Sequence, residues 1–573
     1  MPGHTQVEAS AAGHLCGPEL SCVAPQDANL LTVTREISAD LDTPVSAYLK
    51  LAGLGSSAEP KSPLEGKASA HELPAGDSES SSFLLESVTG GEQVARYSFI
   101  GAGLRRAYVM QGGRFRRIGP EGTELLPMAP GSDPLSVLRS EFMRYKTAAP
   151  AGGSARPGEG NRPRFVGGLV GYLAYDAVRY LEPAVGSPPG PARDTGPDLP
   201  EAVFLLADTV VAFDHAYGRM ILIANVPVDT SEAAARAQAE TRLDQLAARL
   251  DGASPLGAAP RPGRPGEAPR PGTPPPASNM GKEEFMAAVE RAQEHIAAGD
   301  IFQVVLSQRF TRRTTASPLA IYRALRRLNP SPYMFFFNFA GLAEEPWYLI
   351  GASPETHVRL SGRQAILRPI AGTRPRGADA VADAEHEAGL MADPKERAEH
   401  VMLVDLARND LGRVCQYGSV HVPELMGVER YSHVMHIVSQ VEGCLGAGCD
   451  AFDLLRATFP AGTVSGAPKI RAMQIIDQLE GSVRGPYAGA VGYFSFDGSL
   501  DTCITIRTLL MRGDVVSIQA GAGIVADSDP EREHEETVNK ARALVAAVEA
   551  AETPTAPLHG MTAGQPDEKE GRQ

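Results

Sequence analysis

The stretch DTCITIRTLLMRGDVVSIQAGAGIVADSDPEREHEETVNKA, residues 501–541, decides the fold. Its first half holds two segments rich in apolar and β-branched residues, 501–511 and 514–525, which predict strands. The Asp529–Pro530 pair that follows is typical of a helix start. Strands and helices alternate in this way along the chain without a strict βαβ rhythm. We therefore predict an α/β (α+β) fold in which antiparallel sheets are covered by helices.

Further segments support this interpretation on both sides of a proline-rich break. Their composition and periodicity predict strands or helices of ordinary length. The strand-rich segments are 165–181, 202–215, 301–310, 428–443 and 487–496, and the helical ones are 230–252, 281–300 and 471–480.

The composition is that of a soluble globular protein with an acidic surface. The chain has 573 residues, 43% of them hydrophobic, and a formal net charge of −15. This charge repels nucleic acids and anionic membranes, so we expect neither as a partner. Six cysteines without a zinc-ligand pattern, no secretory signal and no long apolar run predict a cytoplasmic protein. A small acid would need local cations, backbone N–H groups or a metal to bind here.

The clearest internal break is the segment 252–277, GASPLGAAPRPGRPGEAPRPGTPPPA, which is too rich in proline and glycine to bury an apolar face. We predict that it links a first domain, 28–251, to a second domain, 278–552. Residues 1–27 and 553–573 are predicted to be flexible tails.

Two helix starts carry acidic residues in the same arrangement. In DPKERAEH, residues 393–400, Glu396 and Glu399 lie three residues apart in the first turns of a predicted helix. Glu533 and Glu536 repeat this spacing after the Asp-Pro pair of the later helix. Acids here can simply complement the helix dipole on a solvated face. Alternatively, if the two starts meet, their carboxylates need a shared cation, and all-oxygen ligands suit Mg²⁺. The spacing does not decide between these interpretations.

Several other positions have both a structural and a functional interpretation. The loop GTVSGAPKI, 462–470, lacks the ending of a nucleotide-binding P-loop, so another anion is a better candidate ligand. The glycines of QAGAGIV, 519–525, are typical of a tight turn but also leave N–H groups accessible to a carboxylate. Arg507 among apolar residues predicts an anionic partner. Tyr487 and His436 are consistent with core packing.

Taken together, the motifs resemble the chorismate-utilising enzymes, and specifically anthranilate synthase component I. The segments IFQVVLSQRF, RPIAGTRPRG, ADPKERAEHVMLVDLARNDLGRV, GTVSGAPK and QAGAGIVADSDPEREHEETVNKA follow in family order, and the resemblance spans nearly the whole chain apart from the tails and the linker. It implies a sandwich of two large antiparallel β-sheets with helices outside and the active site between the sheets. Residues 28–251 would then carry a tryptophan-binding region, and 278–552 would be the chorismate-binding catalytic domain.

The resemblance gives the acidic helix starts a role. It implies that Glu399 and Glu536 hold Mg²⁺ above a carboxylate of chorismate and that Glu533 supports this site. Glu396 would protonate the departing ring hydroxyl, since a hydroxyl is a poor leaving group and a protonated carboxyl can assist it. His436 would assist the second step, the loss of pyruvate.

The resemblance also assigns the substrate pocket. Tyr487 and Arg507 would hold the enolpyruvyl carboxylate, and N–H groups around Gly521 and Gly523 would receive the ring carboxylate. The remaining pocket residues are Thr373, Thr463 and Lys540, with Thr463 also assigned to catalysis.

Two positions select among the members of the family. Gln303 stands where hydrating members place a lysine that activates water, so its neutral amide favours ammonia as the nucleophile. Ala371 stands where many aminodeoxychorismate synthases have an attacking lysine. Direct attack of ammonia and formation of anthranilate are therefore favoured.

A regulatory site is also implied. SSFLLES, which ends at Glu86 and Ser87, resembles the tryptophan-binding motif of component I, although an ordinary buried strand is the alternative interpretation. A long insert before this motif departs from the family pattern. The companion motif NPSPYMFFF contributes Asn329, Pro330, Ser331, Pro332, Tyr333 and Met334.

The expected function is conversion of chorismate and ammonia into anthranilate and pyruvate, the first step of tryptophan biosynthesis, with feedback inhibition by tryptophan. Because no glutamine-hydrolysing domain is recognisable, we expect ammonia to come from an amidotransferase subunit, component II, in a hetero-oligomer. The alternatives are an aminodeoxychorismate synthase or another chorismate-aminating enzyme, a non-enzymatic tryptophan-sensing scaffold and, more remotely, a nucleotide-binding protein.

Overall fold

The computed structural model describes residues 27–53, 80–87, 96–129, 131–148, 162–186, 199–252, 275–431 and 434–552. The predicted tails, except residue 27, and positions 253–274 of the predicted linker lie outside these residues. Within them the chain forms 24 strands and eleven helices.

The strands, in chain order, are β1 (Leu30–Ser38), β2 (Ser81–Glu86), β3 (Tyr97–Leu104), β4 (Ala107–Gln111), β5 (Arg114–Gly119), β6 (Gly122–Leu126), β7 (Gly168–Leu173), β8 (Ala202–Ala207), β9 (Thr209–Asp214), β10 (Arg219–Pro227), β11 (Ala277–Ser278), β12 (Gln303–Arg313), β13 (Tyr333–Asn338), β14 (Trp347–Ser353), β15 (Thr356–Ser361), β16 (Gln364–Leu367), β17 (Ile370–Pro375), β18 (His421–Arg430), β19 (Val434–Cys444), β20 (Gly466–Ala467), β21 (Ala490–Ser495), β22 (Leu500–Ile504), β23 (Thr508–Arg512) and β24 (Val515–Ile524).

The helices are α1 (Pro44–Ala52), α2 (Pro134–Phe142), α3 (Val178–Leu181), α4 (Glu232–Leu250), α5 (Lys282–Ala297), α6 (Pro318–Leu328), α7 (Ala380–Ala392), α8 (Pro394–Gly412), α9 (Ala451–Thr458), α10 (Lys469–Glu480) and α11 (Pro530–Glu552).

The strands form two antiparallel sheets of twelve strands each. Sheet A has the order β1-β10-β9-β3-β2-β13-β14-β23-β24-β12-β11, and β20 also pairs with β12. Sheet B has the order β17-β19-β16-β15-β22-β21-β7-β8-β4-β5-β6, and β18 also pairs with β19. The predicted class, two large antiparallel sheets with helices outside, is confirmed.

Two segments that looked like continuous strand-rich stretches change sheets in the middle. Segment 202–215 divides into β8 in sheet B and β9 in sheet A, and segment 501–511 divides into β22 in sheet B and β23 in sheet A. At the second crossing, Arg507 adopts a positive φ of 51°. Side chains at such a crossing lie between the sheets, which periodicity alone does not reveal.

Each sheet contains strands from both sides of the predicted linker. In sheet A, Leu84 of β2 is opposite Phe336 of β13. In sheet B, Val170 of β7 is opposite Tyr493 of β21. The regions 28–251 and 278–552 therefore build both sheets together, and their exact limits as domains stay a prediction.

An aromatic core lies between the two sheets. Phe337 stacks on Phe339 at 5.4 Å between ring centroids, and Phe339 stacks on Trp347 at 5.2 Å. From sheet B, Tyr493 packs on Phe165 at 4.5 Å, and Phe165 also contacts Phe99 of sheet A. Each buried aromatic ring contributes about 2 kcal/mol of apolar burial, so the sheets are joined mainly by these rings.

Both predicted helix starts have the expected caps. The Asp393 carboxylate accepts hydrogen bonds from the backbone N–H groups of Lys395 and Glu396, at 3.0 and 3.3 Å. At the start of α11, the Asp529 carboxylate accepts one from Arg532 N–H at 2.9 Å.

The described cysteines, Cys415, Cys444, Cys449 and Cys503, are free thiols. Among the described residues, none of the helices has the length and apolar character that crossing a membrane requires.

Candidate active site between the sheets

The two acidic helix starts lie next to each other. The Lys395 ammonium, in the first turn of α8, forms an ion pair with Asp527 at 3.2 Å, just before α11. The positive charge of Lys395 also acts on Glu533, where it opposes the rise in the pKa of that carboxyl. The convergence that spacing alone left open is therefore present.

Glu399 is connected to the strands that hold α11. The Gln303 side-chain amide, at the start of β12, donates a hydrogen bond to Glu399 Oε1 at 3.0 Å. Gln303 Nε2 also lies 2.7 Å from the position that a Cβ on Gly523 would occupy, so a side chain there would displace the Gln303 amide. Gly523 is on β24, the strand that leads into α11.

A group of hydrogen-bond donors lies at the end of β24. Lys540 Nζ donates to the Gly521 carbonyl oxygen at 2.9 Å, and Arg507 Nη1 donates to the Lys540 carbonyl oxygen at 3.3 Å. The Tyr487 hydroxyl lies 2.6 Å from the position of a Cβ on Gly521. Four of the predicted substrate-binding residues are thus brought together.

The edge of β24 is open at this point. The pairing of β23 with β24 begins where Arg512 is opposite Val515 and ends where Leu509 is opposite Ile518. The Gly521 carbonyl oxygen accepts from Lys540 at the edge of β24 that β23 leaves open. In an antiparallel strand, the N–H and the C=O of one residue point to the same side. The Gly521 N–H, and that of Gly523 two residues on, therefore point toward the same space. These two N–H groups are available to a ligand carboxylate, as the resemblance implies.

Arg507 carries a charge that its surroundings do not fully compensate. Burial lowers the pKa of Arg507, while Tyr487 and Glu536 oppose this effect. Within the ranges that the structure describes, no carboxylate forms an ion pair with its guanidinium. An open cavity of about 460 Å³ adjoins it, lined by Arg507, Arg532, Glu535, Glu536, Asn539 and Lys540. An anionic ligand would supply the missing partner.

His436 lies on β19 beside β17. Its Nδ1 is 3.0 Å from the Gly372 carbonyl oxygen and 3.1 Å from Thr373 Oγ1. Burial is the main cause that lowers the pKa of His436, so the ring is neutral at physiological pH. With Nδ1–H donating to the Gly372 carbonyl, Nε2 is left as a proton acceptor.

Glu396 approaches Gly372 as well, but in a different electrostatic setting. Its Oε2 lies 3.0 Å from the position of a Cβ on Gly372. Arg374 pairs with Glu396 and with Asp393, each at 2.9 Å. Arg374 thus joins Glu396 to Asp393, the cap of the same helix, and the role of Glu396 as a proton donor stays a prediction.

Glu355, between β14 and β15, was missed by the sequence analysis. Its side chain is buried, and burial raises the pKa of Glu355 to about 7. Thr463 Oγ1 donates to its Oε1 at 2.6 Å, and the positive charge of Lys540 acts on it. The signal was an acidic residue directly after a strand of apolar residues, in GASPET.

The small-residue loop has a structural role at its lysine. Lys469 Nζ pairs with the buried Asp410 carboxylate of α8 at 2.7 Å and donates to the Thr458 carbonyl oxygen at 3.1 Å. These contacts occupy Lys469, so the loop does not present it to a phosphate. Thr463, in the turn before β20, instead faces Glu355.

The predicted metal ligands are carboxylates that interact with other side chains of the protein. Glu536 pairs with Lys540 at 2.6 Å, and Glu399 accepts from Gln303. Burial raises the pKa of Glu533, and the neighbouring Glu536 adds to this effect. In the described part of the chain, no three metal-ligating side chains form a ready cluster. The donor set fits Mg²⁺ once Lys540 and Gln303 release these oxygens.

The two predicted regulatory motifs are neighbours in sheet A. Met334 of β13 is opposite Glu86 of β2. Glu86 is buried, and its Oε2 accepts from Arg326 Nε at 3.0 Å and from the Tyr322 hydroxyl at 2.5 Å. Glu86 Oε1 and Ser87 Oγ are buried without a partner among the described residues. Asn329 follows α6, and 330–332 lead from it into β13.

Comparison with known proteins identifies the family of the chain. A family described as chorismate binding enzyme matches residues 121–546. The chain belongs to this family. It is similar to anthranilate synthase component 1 of Pseudomonas putida, 44% identical over 92% of this chain and 97% of that protein, and to the same component of Thermus thermophilus, 44% identical over 90% and 97%.

Solved structures of the family have the same fold. Anthranilate synthase component I from Streptococcus pneumoniae is 33% identical, with a TM-score of 0.64 over 78% of this chain and 92% of that one. MenF, the menaquinone-specific isochorismate synthase of Escherichia coli, is 20% identical, with a TM-score of 0.60 over 94% and 97%. The second comparison concerns the fold alone.

The raised pKa of Glu355 predicts a pH-dependent cost to stability. The pKa of Glu355 moves from 4.5 in the unfolded chain to about 7 in the folded protein. The contribution of this group to folding stability is therefore fully present below pH 4.5 and is lost as pH rises from 4.5 through 7. The loss is about 3 kcal/mol. In denaturant titrations, Glu355→Gln should therefore gain stability relative to the wild type between pH 4.5 and 8. The exposed Glu385→Gln should show no such difference, and a flat profile for both would contradict the buried neutral carboxyl.

Proposed function

We propose that this protein is the large component of an anthranilate synthase, converting chorismate and ammonia to anthranilate and pyruvate. The observation that carries the proposal is the incompletely compensated Arg507 beside Tyr487, Lys540 and the open edge of β24. These groups face the start of α11, with the acidic start of α8 beside it. Chorismate carries one carboxylate on its ring and one on its enolpyruvyl side chain, so such an arrangement of donors suits it. Relatives named anthranilate synthase component 1 span almost the whole chain.

Arg507 and Tyr487 would bind the enolpyruvyl carboxylate, and the N–H groups of Gly521 and Gly523 would receive the ring carboxylate. Glu399 and Glu536, with Glu533 beside them, would hold Mg²⁺. When bound, this ion would neutralise the ring carboxylate and stabilise the negative charge there. Lys540 would leave Glu536 and stay near the ligand as a second positive charge.

Glu355 is the better-supported proton donor for the departing ring hydroxyl. A general acid must be protonated near neutral pH, and burial gives the Glu355 carboxyl a pKa of about 7. The hydroxyl takes this proton and leaves as water. Glu396, which we predicted in this role, is paired with Arg374 and would instead help to fix the ring-binding side of the pocket.

The nucleophile is proposed to be ammonia. Gln303 offers an amide that is bound to Glu399, and Ala371 has no nucleophilic atom, so these two positions supply neither water activation nor covalent attack. The neutral His436 would then accept the ring proton through Nε2 as the enolpyruvyl group leaves as pyruvate and the ring becomes aromatic.

We further propose that an amidotransferase subunit supplies the ammonia in a cytoplasmic hetero-oligomer. A cavity of about 580 Å³ between the sheets adjoins Tyr487. It is large enough to admit a small neutral molecule to the substrate pocket. Tryptophan would bind at Glu86, Ser87 and the 329–334 segment and inhibit the reaction.

Carboxyl-to-amide changes test the metal ligands. With chorismate, Mg²⁺ and ammonium, Glu399→Gln and Glu536→Gln should each lower anthranilate fluorescence at least a hundredfold, about the range for one essential polar group. Glu531→Gln, on an exposed turn of α11, should retain wild-type turnover. Full activity in either site variant would remove the metal assignment.

His436→Ala tests the order of the steps. Loss of the proton acceptor should slow pyruvate release about a hundredfold while amination continues, so an aminated, non-aromatic intermediate should accumulate. Rapid-quench chromatography separates the two products, and anthranilate formation at the wild-type rate would exclude this role.

Ser87→Ala tests the regulatory site. Loss of a buried hydroxyl that lacks another partner should weaken tryptophan inhibition about tenfold. Inhibition curves at fixed chorismate measure this change. Ser140→Ala on α2, whose hydroxyl bonds within its own helix, is the control, and wild-type sensitivity of Ser87→Ala would contradict the site.

A further inference from the structure

A buried polar cluster joins the two sheets close to both proposed sites. We call Tyr333, Thr356, Arg359 and Asp501 the Tyr333 cluster. The Tyr333 hydroxyl donates to Asp501 Oδ1 at 2.9 Å, accepts from Arg359 Nη2 at 3.1 Å and lies 3.0 Å from Thr356 Oγ1. With the Thr356 hydroxyl as donor, the one donor and two acceptor positions of the tyrosine are all used.

The charges of the cluster compensate one another. Arg359 Nε pairs with Asp501 Oδ2 at 3.1 Å, and both side chains are largely buried. Burial and the Asp501 carboxylate raise the pKa of Tyr333 above its usual value, so the hydroxyl keeps its proton. Because removing one partner would leave a buried charge unpaired, this network tolerates few arrangements.

One side of the cluster belongs to the regulatory segment. Tyr333 is the first residue of β13 in sheet A, and Met334, the next residue, is opposite Glu86. A ligand that contacts Glu86, Ser87 and the 329–334 segment would therefore contact the strand that carries the tyrosine.

The other side holds the proposed proton donor. Thr356 directly follows Glu355 in sequence, and the Ile504 N–H, on the same strand as Asp501, donates to the Glu355 carbonyl oxygen at 3.1 Å. Tyr333 is also opposite Ser353 in sheet A, and Ser353 Oγ accepts from the Glu355 N–H at 3.4 Å. The backbone of Glu355 is thus attached to strands of both sheets beside the cluster.

We propose that the Tyr333 cluster couples occupancy of the Glu86–Ser87 site to the position of the Glu355 carboxyl. This inference rests on the proposed function, since it requires a ligand at the first site and a reaction at the second. A ligand that moves β13 against sheet B must move the tyrosine hydroxyl from its three partners. Without the contact between Tyr333 and Thr356 Oγ1, the segment that carries Thr356 and Glu355 loses a constraint, and the Glu355 carboxyl shifts away from its hydrogen bond with Thr463. Binding of the ligand at the Glu86–Ser87 site and inhibition of the reaction are therefore separate properties of the protein.

Two nearly isosteric variants break the cluster, one at the Tyr333 hydroxyl and one at a single hydrogen bond to it. Tyr333→Phe removes the hydroxyl, and Thr356→Val removes only one of its three partners in sheet B. Tyr97→Phe is the matched control, because the buried Tyr97 hydroxyl has no partner among the described residues. For each purified variant, calorimetry gives the tryptophan dissociation constant, and steady-state assays give its inhibition of ammonia-dependent turnover and the pH profile of kcat.

For Thr356→Val, tryptophan binding should stay within about twofold of the wild type, while the factor by which saturating tryptophan lowers kcat/KM for chorismate falls about tenfold. Tyr333→Phe should show the same loss of coupling, and the double variant should lose no more than either single one. Because Glu355 acts as the protonated acid, the basic limb of the kcat profile should shift in both variants and stay unchanged in Tyr97→Phe.

Wild-type coupling in Thr356→Val, with normal tryptophan binding, would overturn the proposal while leaving the enzyme and its regulatory site intact. Additive losses in the double variant would also overturn it. If the wild-type protein forms anthranilate but does not bind tryptophan, both the coupling and the regulatory assignment fail. Absence of turnover with chorismate and ammonia in the wild type would count against the proposed function itself.

Discussion

The site depends on the passage of the chain from sheet B to sheet A between Ile504 and Thr508. This crossing places Arg507, with its positive φ of 51°, between the sheets rather than on either face. It also determines where β23 begins, so β24 continues beyond β23 with an open edge at Gly521 and Gly523. A guanidinium and two backbone N–H groups that can bind carboxylates thus come from one local feature of the backbone.

The electrostatics of the site follow from the way opposite charges are distributed around this crossing. The chain as a whole has a net charge of −15, which would repel a diacid. Locally, the cavity beside Arg507 is lined by both cationic and anionic side chains, including Lys540 and Glu536. The ion pair between Lys540 and Glu536 compensates these two charges without a ligand, while Arg507 has no carboxylate partner among the described residues. A bound diacid with its metal would exchange these internal pairs for ligand contacts.

Much of the fold and of the site was predictable from residues that are close together in the sequence. The caps at Asp393 and Asp529, the acidic residues behind them and the strands flanking the glycines all depend on neighbours in sequence. Glu355 was not predictable in the same way, because the pKa of its carboxyl depends on burial in the folded protein. It also depends on the hydrogen bond from Thr463, which is more than a hundred residues away in the sequence. Arg374 escaped notice for a similar reason, since its partner Glu396 is on a different element. The change of sheet within 501–511 also requires tertiary context, because both halves have the same periodicity.

The sharing of both sheets by both regions of the chain has a functional consequence. If the region before the proline-rich segment had formed a separate unit, a ligand on β2 could act only through an interface between domains. Instead, β2 pairs with β13 inside sheet A, and β13 reaches Glu355 through side chains that bond across to sheet B. The family match from 121 to 546, which runs through the proline-rich segment, is consistent with a single structural unit. In such a unit the aromatic core opposes a displacement of one strand, and the polar contacts that cross between the sheets are the proposed route by which it reaches the other sheet. Tyr333 is one of these contacts, and its hydroxyl is bonded to β15 and β22 at the point where the proposed proton donor is held.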